Sequence, residues 1–197
     1  MIFKKKNDIA KKIVVVSGLP RSGTSLMMMM LDAAGIPPIQ DNIREADADN
    51  PKGYYEYERV KDMPKGDTSW VKNTKGKAVK VITALLEHLP KKFKYDVIVM
   101  RREMDEILAS QTKMLERRGE ENKISDAEMS DLFSRHFDKV MAWVKDQKNI
   151  RYVEVSYNNL LENPEEEIAK VNQFLGGKLD IAAMQAKIDP KLYRQRK

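Results

Sequence analysis

The chain has no cysteine, only two histidines, and no apolar run long enough to cross a bilayer. Without cysteine there is neither a disulfide framework nor a thiolate metal site, a composition that suits a reducing compartment. Lys4, Lys5, Lys6, Lys11 and Lys12 precede the apolar run Ile13–Val16. That run is far too short for the core of a signal peptide or for a span. The expectation is a soluble, cytoplasmic protein with no membrane span. Aromatic residues make up 7% of the chain, and they nowhere interleave with basic residues as a strand-binding groove requires. The formal charge of +6 leaves two explanations open, a basic surface or a basic pocket for a small polyanion. Acidic residues are interspersed almost throughout, so no nucleic-acid partner is expected. The main one-sign clusters are the amino-terminal lysines and the closing Arg194-Gln-Arg-Lys197.

What is present alternates between two periods. Ile13–Val16, Ala78–Ile82, Val97–Met100 and Tyr152–Val155 are short, mostly β-branched runs without strict alternation, as buried parallel strands are. Helical patterns lie between them. Ser125 with Glu128 is a capping-box pair that opens a helix running to about Gln147, with Leu132, Phe133, Val140 and Val144 as its apolar stripe. Asn163-Pro164 followed by glutamates opens another, which buries Ile168, Val171, Phe174 and Leu175 and stops at Gly176-Gly177. Strands alternating with helices give a parallel sheet. With 197 residues and neither repeat nor linker, the expectation is one α/β domain over residues 1–197, a central parallel sheet flanked by helices.

The segment Ile13-Val-Val-Val-Ser-Gly-Leu-Pro-Arg-Ser-Gly-Thr-Ser-Leu26 passes from a buried strand through a tight turn into a helix. Gly18 and Gly23 allow a sharp turn and close approach to a ligand. Backbone amides around Pro20, Arg21 and Ser22, and the positive end of the helix, then face an anion together. Arg21 adds a charge, and Thr24 and Ser25 add hydroxyls. The spacing is that of a P-loop in a three-layer fold, but Thr24 stands where the lysine belongs. Triphosphate enzymes also use a strand-end aspartate for magnesium. Here the later strands end in Met100-Arg101-Arg102 and Val155-Ser156-Tyr157, so no metal is expected.

The second anion site is Arg102 with Ser110, at the end of one strand and along the next helix, whose first turn carries Glu103, Asp105 and Glu106. Together with Gly18–Ser25 this resembles the sulfotransferases that use 3′-phosphoadenosine-5′-phosphosulfate (PAPS), and most closely their short bacterial members. Val155-Ser-Tyr-Asn-Asn-Leu-Leu161, the helix closing on Phe174-Leu-Gly176, and Asp189-Pro-Lys-Leu-Tyr-Arg194 extend the likeness over most of the chain. The resemblance implies that the loop holds the 5′-phosphosulfate and that Arg102 and Ser110 hold the 3′-phosphate. It leaves Arg194 with two readings, a 3′-phosphate contact or a solvated tail.

Sulfuryl transfer needs stabilisation of charge on the transferring oxygens and a base for the acceptor. Arg21, the loop amides and Lys80 are candidates for the first. Lys80 resembles the lysine of cytosolic sulfotransferases whose histidine base follows two residues later, a position held here by Ile82. His88 and His136 read as surface or structural residues. Asn50-Pro-Lys-Gly-Tyr-Tyr-Glu56 resembles a bacterial segment in which a glutamate follows the Gly-aromatic pair, which makes Glu56 the candidate base, with Glu58 and Glu45 as substitutes. Residues 39–76 are expected to form much of the pocket for a small-molecule or glycan acceptor. Tyr54, Tyr55, Tyr57 and Trp70 either line it or form a satellite core. Two alternatives stay open, a small phosphotransferase and a non-catalytic nucleotide-binding protein on the same fold.

Overall fold

A computed structural model describes residues 9–41, 43, 53–120 and 124–189. Glu45 and Arg194 lie outside the described residues. The four expected strands form one parallel sheet: β1 (Ile13–Gly18), β2 (Ala78–Lys80), β3 (Tyr95–Arg101) and β4 (Ile150–Ser156), in the order β2-β1-β3-β4. β1 runs down the middle, with Val14, Val15 and Val16 wholly buried. Its β-branched side chains pack both faces of the sheet, which is why the run shows no polar alternation.

On one face lie α1 (Thr24–Ala33), α4 (Tyr157–Glu162), α5 (Pro164–Phe174) and α6 (Ile181–Gln185), covering Val14, Val16, Ile98 and Met100. The four methionines in α1 give flexible side chains that fill this layer, with Met27, Met28 and Met30 fully buried. On the other face Ile107 of α2 (Met104–Arg118), α3 (Asp126–Asp146) and the 3-10 turns Glu58–Lys65, Ser69–Asn73 and Thr83–His88 cover Val15, Val97 and Val99. The result is the three-layer α/β domain that the alternation of periods implies.

The capping box of α3 forms as its sequence requires, Ser125 Oγ accepting from the Glu128 amide and Glu128 accepting from the Ser125 amide. Its buried face differs from the expected stripe. Phe137, Met141 and Val144 face the sheet, Phe133 and Val140 sit at the margin, and Leu132 is 50% exposed. Leu132 precedes Phe137 by five residues, which places it about 140° around the helix.

At the amino-terminal edge of the sheet, Asp96 is almost fully buried and holds two cations. Lys12 Nζ lies 3.0 and 3.2 Å from its oxygens, and Arg151 donates through Nε and Nη2, each at 2.8 Å. Arg151 Nη2 also donates to the Phe174 carbonyl at 3.1 Å, tying β3 and β4 to the end of α5. Replacing Lys12 and Arg151 together by Met would strand a buried carboxylate. The expected loss is about 3–5 kcal/mol of stability, measured by urea denaturation.

Candidate active site

All four parallel strands end on one edge. Because β1 has β2 and β3 as neighbours, the loop after it lies between Lys80, the last residue of β2, and Arg102, just past β3. The chain steps from β1 to one side, then crosses to the other. Such a switch in strand order opens a crevice at the carboxyl edge of an α/β sheet.

The loop is compact because glycine sits where it cannot be replaced. A Cβ on Gly18 would lie 2.3 Å from Ser22 Oγ and 2.9 Å from the Met100 carbonyl oxygen. One on Gly23, whose φ is +94°, would lie 2.2 Å from the Tyr157 ring. Ser22 turns inward, its buried Oγ donating to the Leu19 carbonyl at 2.7 Å, so it braces the turn. Pro20 is exposed at the tip. Gly23 precedes α1 without a side-chain cap, and Thr24 opens the helix. The first-turn amides are therefore left for an anion rather than for a capping residue.

The side chains around the loop fall into two groups. Beside β2, Lys80 donates to Ser25 Oγ at 3.0 Å and to the Tyr54 carbonyl, and its Nζ lies 3.8 Å from Glu56 Oε1. The lysine side chain is 7% exposed and that of Glu56 is 22% exposed, so the carboxylate is the more open of the pair. Tyr55 takes a left-handed backbone (φ +53°) between them. That conformation costs a bulky residue on the order of 1–3 kcal/mol, a strain met most often at functional sites. Asp41 fixes the segment further, accepting from the Glu58 amide at 2.7 Å.

Beside β3, Arg21 Nε donates to Ser110 Oγ at 2.8 Å, and Arg102 Nη1 donates to the Arg21 carbonyl at 2.9 Å. Arg21 is itself in the left-handed region (φ +67°). Arg102 Nε donates to Glu106 at 2.9 Å, and its guanidinium lies 4.7 Å from the centre of the Tyr157 ring. Burial pushes the Tyr157 hydroxyl pKa up; Arg102 pulls it down, Glu106 adds to the rise, and Arg21 opposes it. The net rise keeps the phenol protonated at neutral pH. Glu106 also accepts from Asn158 Nδ2 at 3.0 Å.

The structure thus gathers Gly18, Pro20, Arg21, Ser22, Gly23, Thr24, Ser25, Glu56, Lys80, Arg102 and Ser110 along one edge of the sheet. Tyr157 and Asn158, which the sequence offered only within a longer motif, and the carbonyl of Tyr54, a residue expected only as pocket lining or core, also take part in these contacts. Ser156 signals the first two, because it caps α4 by accepting from the Asn159 amide and so fixes the turn that carries them. Tyr54 and Trp70 are buried core residues, whereas Tyr55 and Tyr57 stay partly exposed. Burial, and secondarily Asp32, raise the pKa of Tyr55. His136 Nε2 is bonded to Thr83 Oγ1 at 3.0 Å, and His88 lies 3.9 Å from Glu87.

A glycine-containing loop between a strand and a helix, with Arg102 beside it at the switch point, fits an anion-binding site of an α/β enzyme. The family profile for the sulfotransferase domain matches residues 11–192, and the chain belongs to that family. Its members transfer sulfuryl groups, so the protein is a transferase enzyme. No curated protein matches the sequence. Among solved structures, the sulfotransferase domain of the Synechococcus olefin synthase is 16% identical, with a TM-score of 0.56 over 98% of this chain and 91% of that one. A sulfotransferase from Mycobacterium tuberculosis is 19% identical, with a TM-score of 0.53 over 94% of this chain and 73% of that one. The sulfotransferase domain of the curacin biosynthetic pathway is 13% identical, with a TM-score of 0.50 over 85% and 75% of the two chains. At these identities the likeness is one of fold.

Gly23→Ala should drive a methyl group into the Tyr157 ring and strain the backbone at once. The expected outcome is a loss of about 1–3 kcal/mol of stability, measured by urea denaturation. Unaltered stability would show that the loop tolerates movement of Tyr157.

Proposed function

We propose that the enzyme takes its sulfuryl group from PAPS and delivers it in line to a hydroxyl or amine of a small-molecule or glycan acceptor. The observation that carries this reading is the chain of contacts from Arg102 to the Arg21 carbonyl and from Arg21 to Ser110. It links the loop to the strand-end arginine, which supports a site that takes two anionic groups at once, one at each pole. A ligand with a single phosphate chain would leave one pole unused.

The residues present suit the donor. Glycines at positions 18 and 23 let the turn pack closely against Ser22, Met100 and Tyr157, and Arg102 Nη2 makes no hydrogen bond among the described residues. We assign the 5′-phosphosulfate to the loop residues Gly18, Pro20, Arg21, Ser22, Gly23, Thr24 and Ser25, and the 3′-phosphate to Arg102 and Ser110. The resemblance adds Arg194 to the second pole. When bound, the nucleotide supplies a sulfur that exchanges its bond to the 5′-phosphate oxygen for one to the acceptor, the electron pair leaving on that phosphate. Lys80, held by Ser25 and the Tyr54 carbonyl, places a positive charge beside the loop. Arg21 and the loop amides add to it. Glu56, beside Lys80 and more exposed, takes the acceptor's proton. Such base catalysis typically contributes about 10²–10⁴ in rate.

Two measurements test the reading. Adenosine 3′,5′-bisphosphate at a hundred times its dissociation constant should stabilise the protein by about 2.7 kcal/mol without metal, raising Tm by about 5–10 °C. A larger shift with ATP and magnesium would favour a phosphotransferase instead. Glu56→Gln should lower kcat by about 10²–10⁴ while leaving binding of the bisphosphate unchanged. Full turnover by that variant would remove Glu56 as the base.

A further inference from the structure

Glu106 is a carboxylate buried at the heart of a site built to attract anions. Its side chain is 5% exposed and that of its partner Arg102 is 7% exposed. A negative charge there works against binding a phosphate, since it cancels the charge of the arginine on which the second pole rests. Its hydrogen bonds give it another purpose. Oε2 accepts from Arg102 Nε at 2.9 Å, and Oε1 accepts from Asn158 Nδ2 at 3.0 Å. Asn158 is oriented in turn, because its Oδ1 accepts from the Glu103 amide at 3.2 Å. With Nε held by Glu106, Nη1 by the Arg21 carbonyl and one face covered by Tyr157, the guanidinium has a single orientation. Its Nη2 makes no hydrogen bond among the described residues, so the fork is turned with a donor to spare.

We propose that Glu106, itself oriented by Asn158, is the positioning residue that makes the enzyme selective for 3′-phosphorylated nucleotides. It acts by fixing the guanidinium of Arg102, despite an electrostatic cost to anion binding. The inference rests on the assignment of the 3′-phosphate to Arg102. Both oxygens of residue 106 must accept, because Arg102 has only donors to offer and Asn158 has its amide nitrogen turned inward. Glutamine has one acceptor oxygen, so in its place one donor would face another. Aspartate keeps both acceptors on a shorter stem.

The two explanations of Glu106 predict opposite signs. If it were merely a nearby charge, Glu106→Gln would tighten binding of the 3′-phosphorylated ligand. As a positioning group, its loss should weaken that binding. The probes are adenosine 3′,5′-bisphosphate and adenosine 5′-monophosphate, and the readout is the ratio of their dissociation constants by calorimetry. The wild-type ratio tests the site assignment first: no preference for the bisphosphate overturns the 3′-phosphate reading of Arg102 itself. Given that preference, Glu106→Gln should reduce it at least tenfold, with monophosphate affinity changing less than threefold, and Glu106→Asp should restore part of it. An unchanged or increased preference in Glu106→Gln overturns the positioning role and leaves the site assignment standing. Should Glu106→Gln fail to fold, Asn158→Leu decides: a preference reduced threefold or more supports the proposal, and an undiminished one overturns it.

Discussion

A parallel sheet delivers every strand's carboxyl end to the same edge, and here that constraint assembles the whole site. β1, buried on both faces, carries the Gly18–Ser25 loop to the middle of that edge. β2 ends in Lys80 on one side of it, and Arg102 and Tyr157 directly follow β3 and β4 on the other. None of these residues is near another in sequence; the strand order brings them together. A change in that order would separate the loop from one of its two cationic neighbours. The glycine requirements follow from the same crowding. Gly18 passes beneath Ser22 and beside Met100, and Gly23 passes against Tyr157, because three strand ends share so little room.

The electrostatics of the edge are not those of a uniformly positive cleft. Each cation has a partner that limits its freedom: Lys80 has Ser25, the Tyr54 carbonyl and Glu56, and Arg102 has Glu106 and the Arg21 carbonyl. Desolvated cations held this way need little reorganisation when a ligand arrives, which matters more for catalysis than raw charge. The two carboxylates differ in setting. Glu106 is buried beside an arginine and an asparagine, whereas Glu56 retains a partly exposed side chain. Holding a cation suits the first, and taking a proton from an acceptor that enters from solvent would suit the second.

Much of this could be read from the residues, and the remainder was hidden for specific reasons. The β-branched runs gave the strands to within a few residues, because β1, β2 and β3 are buried on both faces and have no polar phase to confuse, whereas β4 at the edge exposes Arg151 and Glu154. The loop was legible because glycine, proline and hydroxyl residues carry their constraints locally. Leu132 was misplaced since a helix of this length offers several apolar faces, and only packing selects Phe137, Met141 and Val144. Glu103, Asp105 and Glu106 all fall in the first turn after Arg102, and nothing in the sequence sets Glu106 apart from the other two. Its second partner, Asn158, is 52 residues away and could not be inferred from spacing. The left-handed backbones of Arg21 and Tyr55 were likewise invisible, because neither residue type announces a positive φ.

The resemblance to cytosolic sulfotransferases would put a histidine base two residues after Lys80, where this chain has Ile82, 38% exposed just beyond β2. An exposed aliphatic group there offers a contact to an apolar acceptor but cannot take a proton. His136 is committed to Thr83. The strained turn at Tyr55 instead brings Glu56 to Lys80, from a different segment of the chain, so the acceptor's proton would leave towards the β2 side of the loop. A base on that segment is set by the backbone of residues 53–58 rather than by the sheet. Acceptor preference and proton transfer would then vary together with this segment, while donor recognition stays with the strand ends.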